Sequence, residues 1–490
     1  MKKIITLFTV AALALSSLTS CRDYLDINYD PNSPSADVVD NDMILPAAEM
    51  ALSAKYGDIM RIYGGYFAEQ YCQYFGTSNY LDFSRFIMSA TRSNNPYGTI
   101  MPGCIGNATT VREKAAEAEE WGTYLAATVL RVFAFQSMVD AYGEIPYSEA
   151  MDASILIPKY DEGKDIYAGL VAELEEALSK ASPTDLVAKN FLYSGQPAAP
   201  WIKFGNALML KLLMRESGVV DVKSKLSALV NANNFPEEDV AWTGIWANES
   251  GKANPFYQEE FATYFGSTQI NCGLNVALFR AMSDYDDNRL GAFFTKNANG
   301  QYWGSISGDN MSTSGNYKSG NFCRPNMAYD SPVYLISKAE IEFWLAEYYG
   351  NTAQGKAHYE AAIEASFASA GVDGAEAAIA AWPYDGSKKT LGVQKWIALS
   401  GINNYEAWCE MRRLGYPTIT GKKATDIYSN DTMDPTVLTP GDLYTPKDVS
   451  AEVGAGNILS RWPYPQSSSN YNANAPKNKK PTEKVFWAAQ

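Results

Sequence analysis

Apolar residues recur at helical spacing along most of the chain. Over 121–142, Leu125, Val129, Val132 and Phe133 draw one stripe, which Gly143 and Pro146 end. Ile166, Leu170, Leu174 and Leu178 repeat every fourth residue over 165–179, ahead of Pro183. Trp201, Phe204, Leu208 and Leu212 line a third helix over 200–216, and Val222, Leu226, Leu229 and Val230 a fourth over 221–232. The best-marked helix is 337–349. Its Ser337 and Glu340 stand at capping-box spacing, where each side chain satisfies an orphan backbone N–H. Ile341, Trp344, Leu345 and Tyr348 form its apolar face, and Gly350 stops it. A partner over 354–369 is expected to bury Tyr359, Ala362, Ile363 and Phe367, with further helices near 391–400 and 403–413.

Helices paired through short connections predict helix-turn-helix units stacked on a shared core. The period is irregular, and the tetratricopeptide consensus is present in fragments, as Trp344 and Tyr348 without the Leu-Gly between them. The expected class is mainly α, a tetratricopeptide-like helical-repeat scaffold with long irregular loops and little β. Two stretches lack helical period: 240–334, rich in Gly, Asn, Ser and aromatics, and 415–490, with its eight prolines. Long irregular segments in a large domain are usually functional.

The head of the chain reads as an address. Lys2 and Lys3 precede an apolar run, Ile4 to Leu15, which is too short to span a hydrocarbon layer of about 30 Å. This is a secretory signal peptide over 1–20, ending in Leu18-Thr19-Ser20 before Cys21. That ending resembles the bacterial lipobox, in which the Cys thiol takes a diacylglycerol and the new amino terminus a further acyl chain. Several chains anchor stably where one does not. Residues 21–42 then form a polar, lipidated tether, and 43–490 a single helical domain with loop-rich insertions near 240–334 and 415–490.

Composition removes several function classes. Forty basic against fifty-five acidic residues leave a net charge of −15, which repels phosphate and speaks against a nucleic-acid partner. The one histidine, His358, excludes chemistry needing two imidazoles. Cys72, Cys104, Cys272, Cys323 and Cys409 show no CxxC spacing and read as small buried hydrophobes, with one disulfide left open. Asp26, Asn28 and Asp30 open like a calcium loop, but Pro31 stands where Gly is required and Asp37 where a bidentate Glu is. Asp284, Asp286 and Asp287 also resemble a metal cluster, with Arg289 beside them as a salt-bridge partner. No cofactor is expected; bound calcium stays open as the alternative. No GxSxG, HExxH, Walker or GxGxxG motif occurs, so an enzyme is not expected.

Eight stretches, in order, carry a resemblance over nearly the whole mature chain. They are Cys21 followed by DYLD at 23–26, DAYGEIPYSEA at 140–150, PKYDEGKDIY at 158–167, WIKFGNALMLKLLMR at 201–215, AEIEFWLAEYY at 339–349, VQKWIALSG at 393–401, EAWCEMRRLGYP at 406–417 and RWPYP at 461–465. The chain resembles the SusD/RagB lipoproteins, most closely their second subfamily. The resemblance implies four tetratricopeptide-like units, lipid anchoring to the outer membrane through Cys21 and exposure at the cell surface. It also implies a SusC-type TonB-dependent transporter as partner and capture of nutrient polymers, usually glycans, in some relatives peptides. Surface export in that family favours acidic residues just after the lipidated Cys; here Arg22 comes first, then Asp23 and Asp26. An envelope-anchored hydrolase is the reading from another class.

A glycan site needs flat rings for the apolar faces of sugars and polar groups for their hydroxyls. Aromatics at helical spacing, such as Trp344 and Trp201, are expected in the core. Loop aromatics are the better candidates. One cluster, within 77–98, offers Asn79, Tyr80, Arg85 and Tyr97. The other, within 300–317, offers Tyr302, Trp303, Asp309, Asn310 and Tyr317.

Overall fold

A computed structural model describes residues 39–261, 270–309, 319–429 and 432–489. Cys21, the calcium-like stretch 26–37, Asn310 and Tyr317 lie outside the described residues.

Helices dominate, and their ends follow capping chemistry. The side chains of Ser337, Thr352, Ser387 and Asn403 each accept a hydrogen bond from a first-turn N–H of helices Lys338–Tyr349, Ala353–Ala370, Lys388–Leu399 and Asn404–Leu414. At Ser337 the reciprocal bond is present too: Glu340 Oε2 accepts from the Ser337 N–H at 2.8 Å. Gly371 and Gly415 close two of these helices in the left-handed conformation. The helices stand in neighbouring pairs. Lys338–Tyr349 packs along Ala353–Ala370, where the Phe343 and Tyr359 rings meet edge-on at 6.0 Å.

Helix Trp121–Tyr142 is the centre of the scaffold. The single stripe expected for it understates its burial, because every residue from Gly122 to Tyr142 is buried. Helices Asn107–Glu117, Gly163–Lys180 and Ala199–Glu216 pack around it, so it has no solvent face. No helix among the described residues is long and apolar enough to cross a membrane.

Several helices escaped the periodic pattern, short ones such as Val276–Ser283 and Ala375–Ala381 and two longer stretches. Asn41–Lys55 continues through a wider, π-helical turn at Tyr56–Met60 into Arg61–Phe67. Its first two residues, Asn41 and Asp42, lie inside the segment expected to be tether. Ala90–Thr99 likewise runs through Ile100–Gly106 into Asn107–Glu117, so part of the expected loop cluster at 77–98 is helical. Gly64 explains why the first stretch needs its glycines. A Cβ there would come within 2.3 Å of the Tyr405 Cα, so only Gly lets Arg61–Phe67 lie against Asn404–Leu414.

Charged side chains tie the helices internally. Arg215 reaches Glu410 at 2.5 Å, Glu406 and, at 3.4 Å, Asp140. Lys211 pairs with Glu406 at 3.0 Å, Lys395 with Glu410 at 2.7 Å, and Arg413 with both Glu410 and Glu347. Arg412 instead donates to the Ser460 and Asp140 carbonyls, its guanidinium 3.4 Å from the Trp408 ring centre.

Among the described residues, strand forms two-stranded ladders and isolated bridges. Tyr71–Gln73 pairs antiparallel with Cys272–Leu274, and Val240–Trp242 with Val333–Ile336. A parallel pair joins Ile419–Lys423 to Leu443–Thr445, and Tyr428–Ser429 pairs with Thr432–Met433. The first pins the middle of the loop-rich 240–334 stretch to the segment after helix Arg61–Phe67, and the second ties the two ends of that stretch to each other. The five described cysteines are buried free thiols.

Candidate ligand-binding cleft

The cleft is assembled from consecutive pieces of the 270–309 stretch. Strand Cys272–Leu274 leads to Asn275, whose side chain accepts from the Ala277 N–H at 2.9 Å and starts helix Val276–Ser283. Helix Arg289–Phe293 follows, and then a tight turn. Asn297 Oδ1 accepts from the N–H groups of Asn299 and Gln301, both at 3.0 Å, and this folds the chain back. The turn delivers Gln301, Tyr302 and Trp303. Gly304 then runs against the first helix so closely that a Cβ would sit 2.5 Å from the Val276 Cα. The Trp303 N–H donates to Cys323 Sγ at 3.2 Å.

The result is a cleft of about 570 Å³, within the roughly 300–1,000 Å³ usual for small-ligand sites. Phe279, Tyr302 and Trp303 supply rings; Gln301, Asn288, Asp286 and Lys296 supply polar groups. Trp303 lies 6.1 Å from Phe279, their planes tilted by 42°. Both Tyr302 and Trp303 are half-buried, held by the protein on one side. The Trp303 Nε1 has no hydrogen-bond partner. Tyr302 Oη lies close to Gly291, and partial burial raises its phenol above the usual value, so it stays a neutral donor. Lys296 Nζ is 5.5 Å from the Tyr302 ring centre. Asp287 is committed elsewhere: Arg289 holds it at 2.7 Å in a fully buried pair, and Tyr285 donates to it at 2.8 Å. Asp284 pairs with Arg280. These pairings take up two of the three carboxylates that resembled a metal cluster.

The other sequence candidates are placed differently. Tyr80 is 1% exposed, packed against Tyr66 and Phe83, with its hydroxyl donating to Glu259. It is a core residue, because neighbouring rings occupy its faces. Tyr97 lies on helix Ala90–Thr99, half-buried and edge-on to Tyr142 at 5.7 Å. Arg85 donates to the Gly308 carbonyl at 3.1 Å and pairs with Asp448 at 3.3 Å. Asp309 is buried and pairs with Lys447 at 2.8 Å. Arg85 and Asp309 therefore fasten the 308–309 turn to the 447–448 turn; they do not line the cleft. Asn79 is half-buried beside Asn271, 3.4 Å away. Of the nine ligand candidates, the structure brings Tyr302 and Trp303 together in the cleft. Phe279 also lines the cleft and was not among the sequence candidates: it stands on the short helix Val276–Ser283, in a stretch read as having no helical period.

The sequence also matches a known family. A family described as starch-binding, associating with the outer membrane, the second of the SusD-like families, matches residues 45–439. The chain belongs to this SusD-like family. No curated protein matches it. Among solved structures, a SusD homologue from Bacteroides uniformis superposes with a TM-score of 0.70 at 22% identity, covering 91% of this chain and all (100%) of the other. A SusD-like protein of the Bacteroidetes gives 0.71 at 20% identity, covering 92% and 100%. A structure named as a chitin-binding protein gives 0.70 at 19% identity, covering 92% and 99%. The helical-repeat fold read from the sequence is thus the SusD-like fold. SusD-like proteins are outer-membrane binding proteins for nutrients, and the role of this chain is of that kind.

Proposed function

We propose that this protein is a non-catalytic, cell-surface lipoprotein that captures an oligosaccharide in the Trp303 cleft and delivers it to a SusC-type transporter. The observation that carries the reading is the pairing of Trp303 and Tyr302 on one turn, half-buried, with Gln301, Asn288 and Asp286 around them. Aromatic faces take the C–H faces of a sugar ring, while amides and carboxylates take its hydroxyls. A turn fixed by Asn297 offers both without rearrangement, which lowers the entropic cost of binding. Anchoring is through Cys21 and the tether that follows it.

The direct test is titration of the soluble protein lacking residues 1–21 against an array of oligosaccharides and peptides. Binding of a sugar oligomer that Trp303→Ala weakens supports the reading. Binding confined to peptides, or to no oligomer at all, overturns it. A chain anchored through Cys21 loses mature outer-membrane fractionation in Cys21→Ala. Chito-oligosaccharides are a sensible first probe, since one fold neighbour is named for chitin.

A further inference from the structure

A second cleft, of about 260 Å³, adjoins the segment that builds the first. It is lined by Tyr257, Phe261, Thr295, Arg324, Asn326 and neighbours. Its backbone continues that of the Trp303 cleft: Thr295 precedes Lys296, and helix Arg289–Phe293 with Gly291 comes just before. Phe294 bridges Pro325, the Thr295 N–H donates to the Arg324 carbonyl at 2.9 Å, and Asn326 Nδ2 donates to the Gly291 carbonyl at 3.3 Å. The two clefts therefore share one support.

Arg324 is the unusual residue. Each of the other described arginines gives its guanidinium at least one hydrogen bond or ion pair. Arg324 has neither, although it is half-buried. Its Cζ lies 5.1 Å from the centre of the Phe261 ring, and Phe261 stacks on Tyr257 at 5.7 Å with planes 25° apart. The rings hold the guanidinium in place and satisfy none of its five N–H donors. None of its nitrogens is shut off from water, so the fork is open to a ligand, and its planar shape matches a carboxylate or sulfate. On a chain of net charge −15 an unpaired cation is not explained by bulk charge. In the adjoining cleft Lys296 likewise has no ion pair and lies over Tyr302.

We infer that the Tyr257–Phe261–Arg324 cleft is a second subsite, taking an anionic sugar unit, carboxylated or sulfated, of an oligosaccharide whose neighbouring units occupy the Trp303 cleft. Arg324 receives the oxyanion in a charge-assisted, bidentate contact. Lys296, next in sequence to Thr295, adds positive charge from the Trp303 cleft. This rests on the sugar-binding reading of the Trp303 cleft.

The test compares wild type, Arg324→Gln, Arg324→Lys and Trp303→Ala by titration calorimetry in about 0.15 M salt, where exposed charges are well screened. The probes are a carboxylated oligogalacturonide, a sulfated chondroitin oligosaccharide, a neutral chito-oligosaccharide and an acidic peptide. At least one acidic sugar should bind wild type, and Arg324→Gln should weaken it roughly tenfold to hundredfold. Arg324→Lys should restore part of that loss, any neutral-sugar affinity should be unchanged, and the melting temperature should hold. The carboxylated and sulfated arms separate the two sources of the anion. Acidic sugars that bind Arg324→Gln as tightly as wild type overturn the inference. So does wild-type binding of neutral sugars alone, which leaves the Trp303 reading standing if Trp303→Ala abolishes it. Arg324-dependent binding of the peptide alone overturns it in favour of another ligand class. No binding of any sugar overturns both readings.

Discussion

The Glu410 carboxylate lies 2.5 Å from Nη1 of Arg215, and neither side chain reaches solvent to any useful degree. The pair sits where five helices meet. Arg413 and Lys395 hold the same carboxylate from two other sides. Burial alone would raise the Glu410 carboxyl, but Arg413, Lys395 and Arg215 together hold it well below the usual range. The cluster joins distant parts of the sequence, so it fixes how the helices stack. Arg215→Met should therefore leave Glu406, Glu410 and Asp140 short of a partner and cost about 3–5 kcal/mol. Urea unfolding checks this; a variant as stable as wild type contradicts the assignment.

The carboxy-terminal segment is clamped by a different carboxylate. Glu144 accepts from Arg461 Nη2 at 2.7 Å, and also from Lys479 and Tyr464. Burial pushes its carboxyl up, yet hydrogen bonds from Lys479, Tyr464 and Arg461 and the Arg461 charge outweigh this and bring it down to about 2. A folded value below the unfolded one means that the unfolded chain binds more protons in between. The stabilisation is complete above about pH 4.5 and is lost as pH falls towards 2. Wild type should exceed Glu144→Gln in stability at pH 7, and the gap should shrink below about pH 4.5 and nearly close by about pH 2, as read from urea unfolding at each pH. A gap independent of pH contradicts the clamp.

Two aromatic residues separate scaffold from site. Trp344 is fully buried, with Lys395 Nζ 4.3 Å from its ring centre, and Tyr80 is buried among Tyr66 and Phe83. Trp344→Ala should cost on the order of 3–5 kcal/mol. Tyr80→Ala should likewise lower the melting temperature while leaving affinity for a sugar oligomer near that of wild type. Loss of affinity at unchanged melting temperature in either variant contradicts the placement.

Gly64 offers a test of the helix that the periodic pattern did not show. Its Cα faces the Asn404–Tyr405 backbone so closely that Gly64→Ala must push two helices apart. The expected loss is about 1–3 kcal/mol, measured by thermal unfolding. Unchanged stability means that the two helices do not pack as described.

The helices legible in the sequence were those with a periodic apolar face and a cap, such as Lys338–Tyr349 with Ser337 and Glu340. Arg61–Phe67 was hidden because all its residues are buried, glycines included, so no polar face marks the period. Ala90–Thr99 was hidden by Asn94, Asn95, Pro96 and Gly98, residues that ordinarily signal a turn. In the cleft, the two lining residues that the sequence singled out, Tyr302 and Trp303, stood out because no helical period claims them. The ion pairs of Arg85 and Asp309 were not legible because the partners, Asp448 and Lys447, lie more than a hundred positions away, beyond any local pattern. Phe279 and Arg324 gave no signal: neither stands in one of the two loop clusters singled out, and nothing local distinguishes either from its neighbours.

Trp303 carries the central claim. Its ring is half-buried in the cleft beside Tyr302 and Phe279, with Gln301 as its polar neighbour in sequence. One variant, Trp303→Ala, should be melted and titrated side by side with wild type, using the sugar oligomer that wild type binds. The account predicts a loss of about 1–3 kcal/mol in binding, the usual cost of truncating an aromatic anchor, with little change in melting temperature. A large fall in melting temperature with intact affinity would show instead that Trp303 fastens its turn to the scaffold, and would contradict the claim.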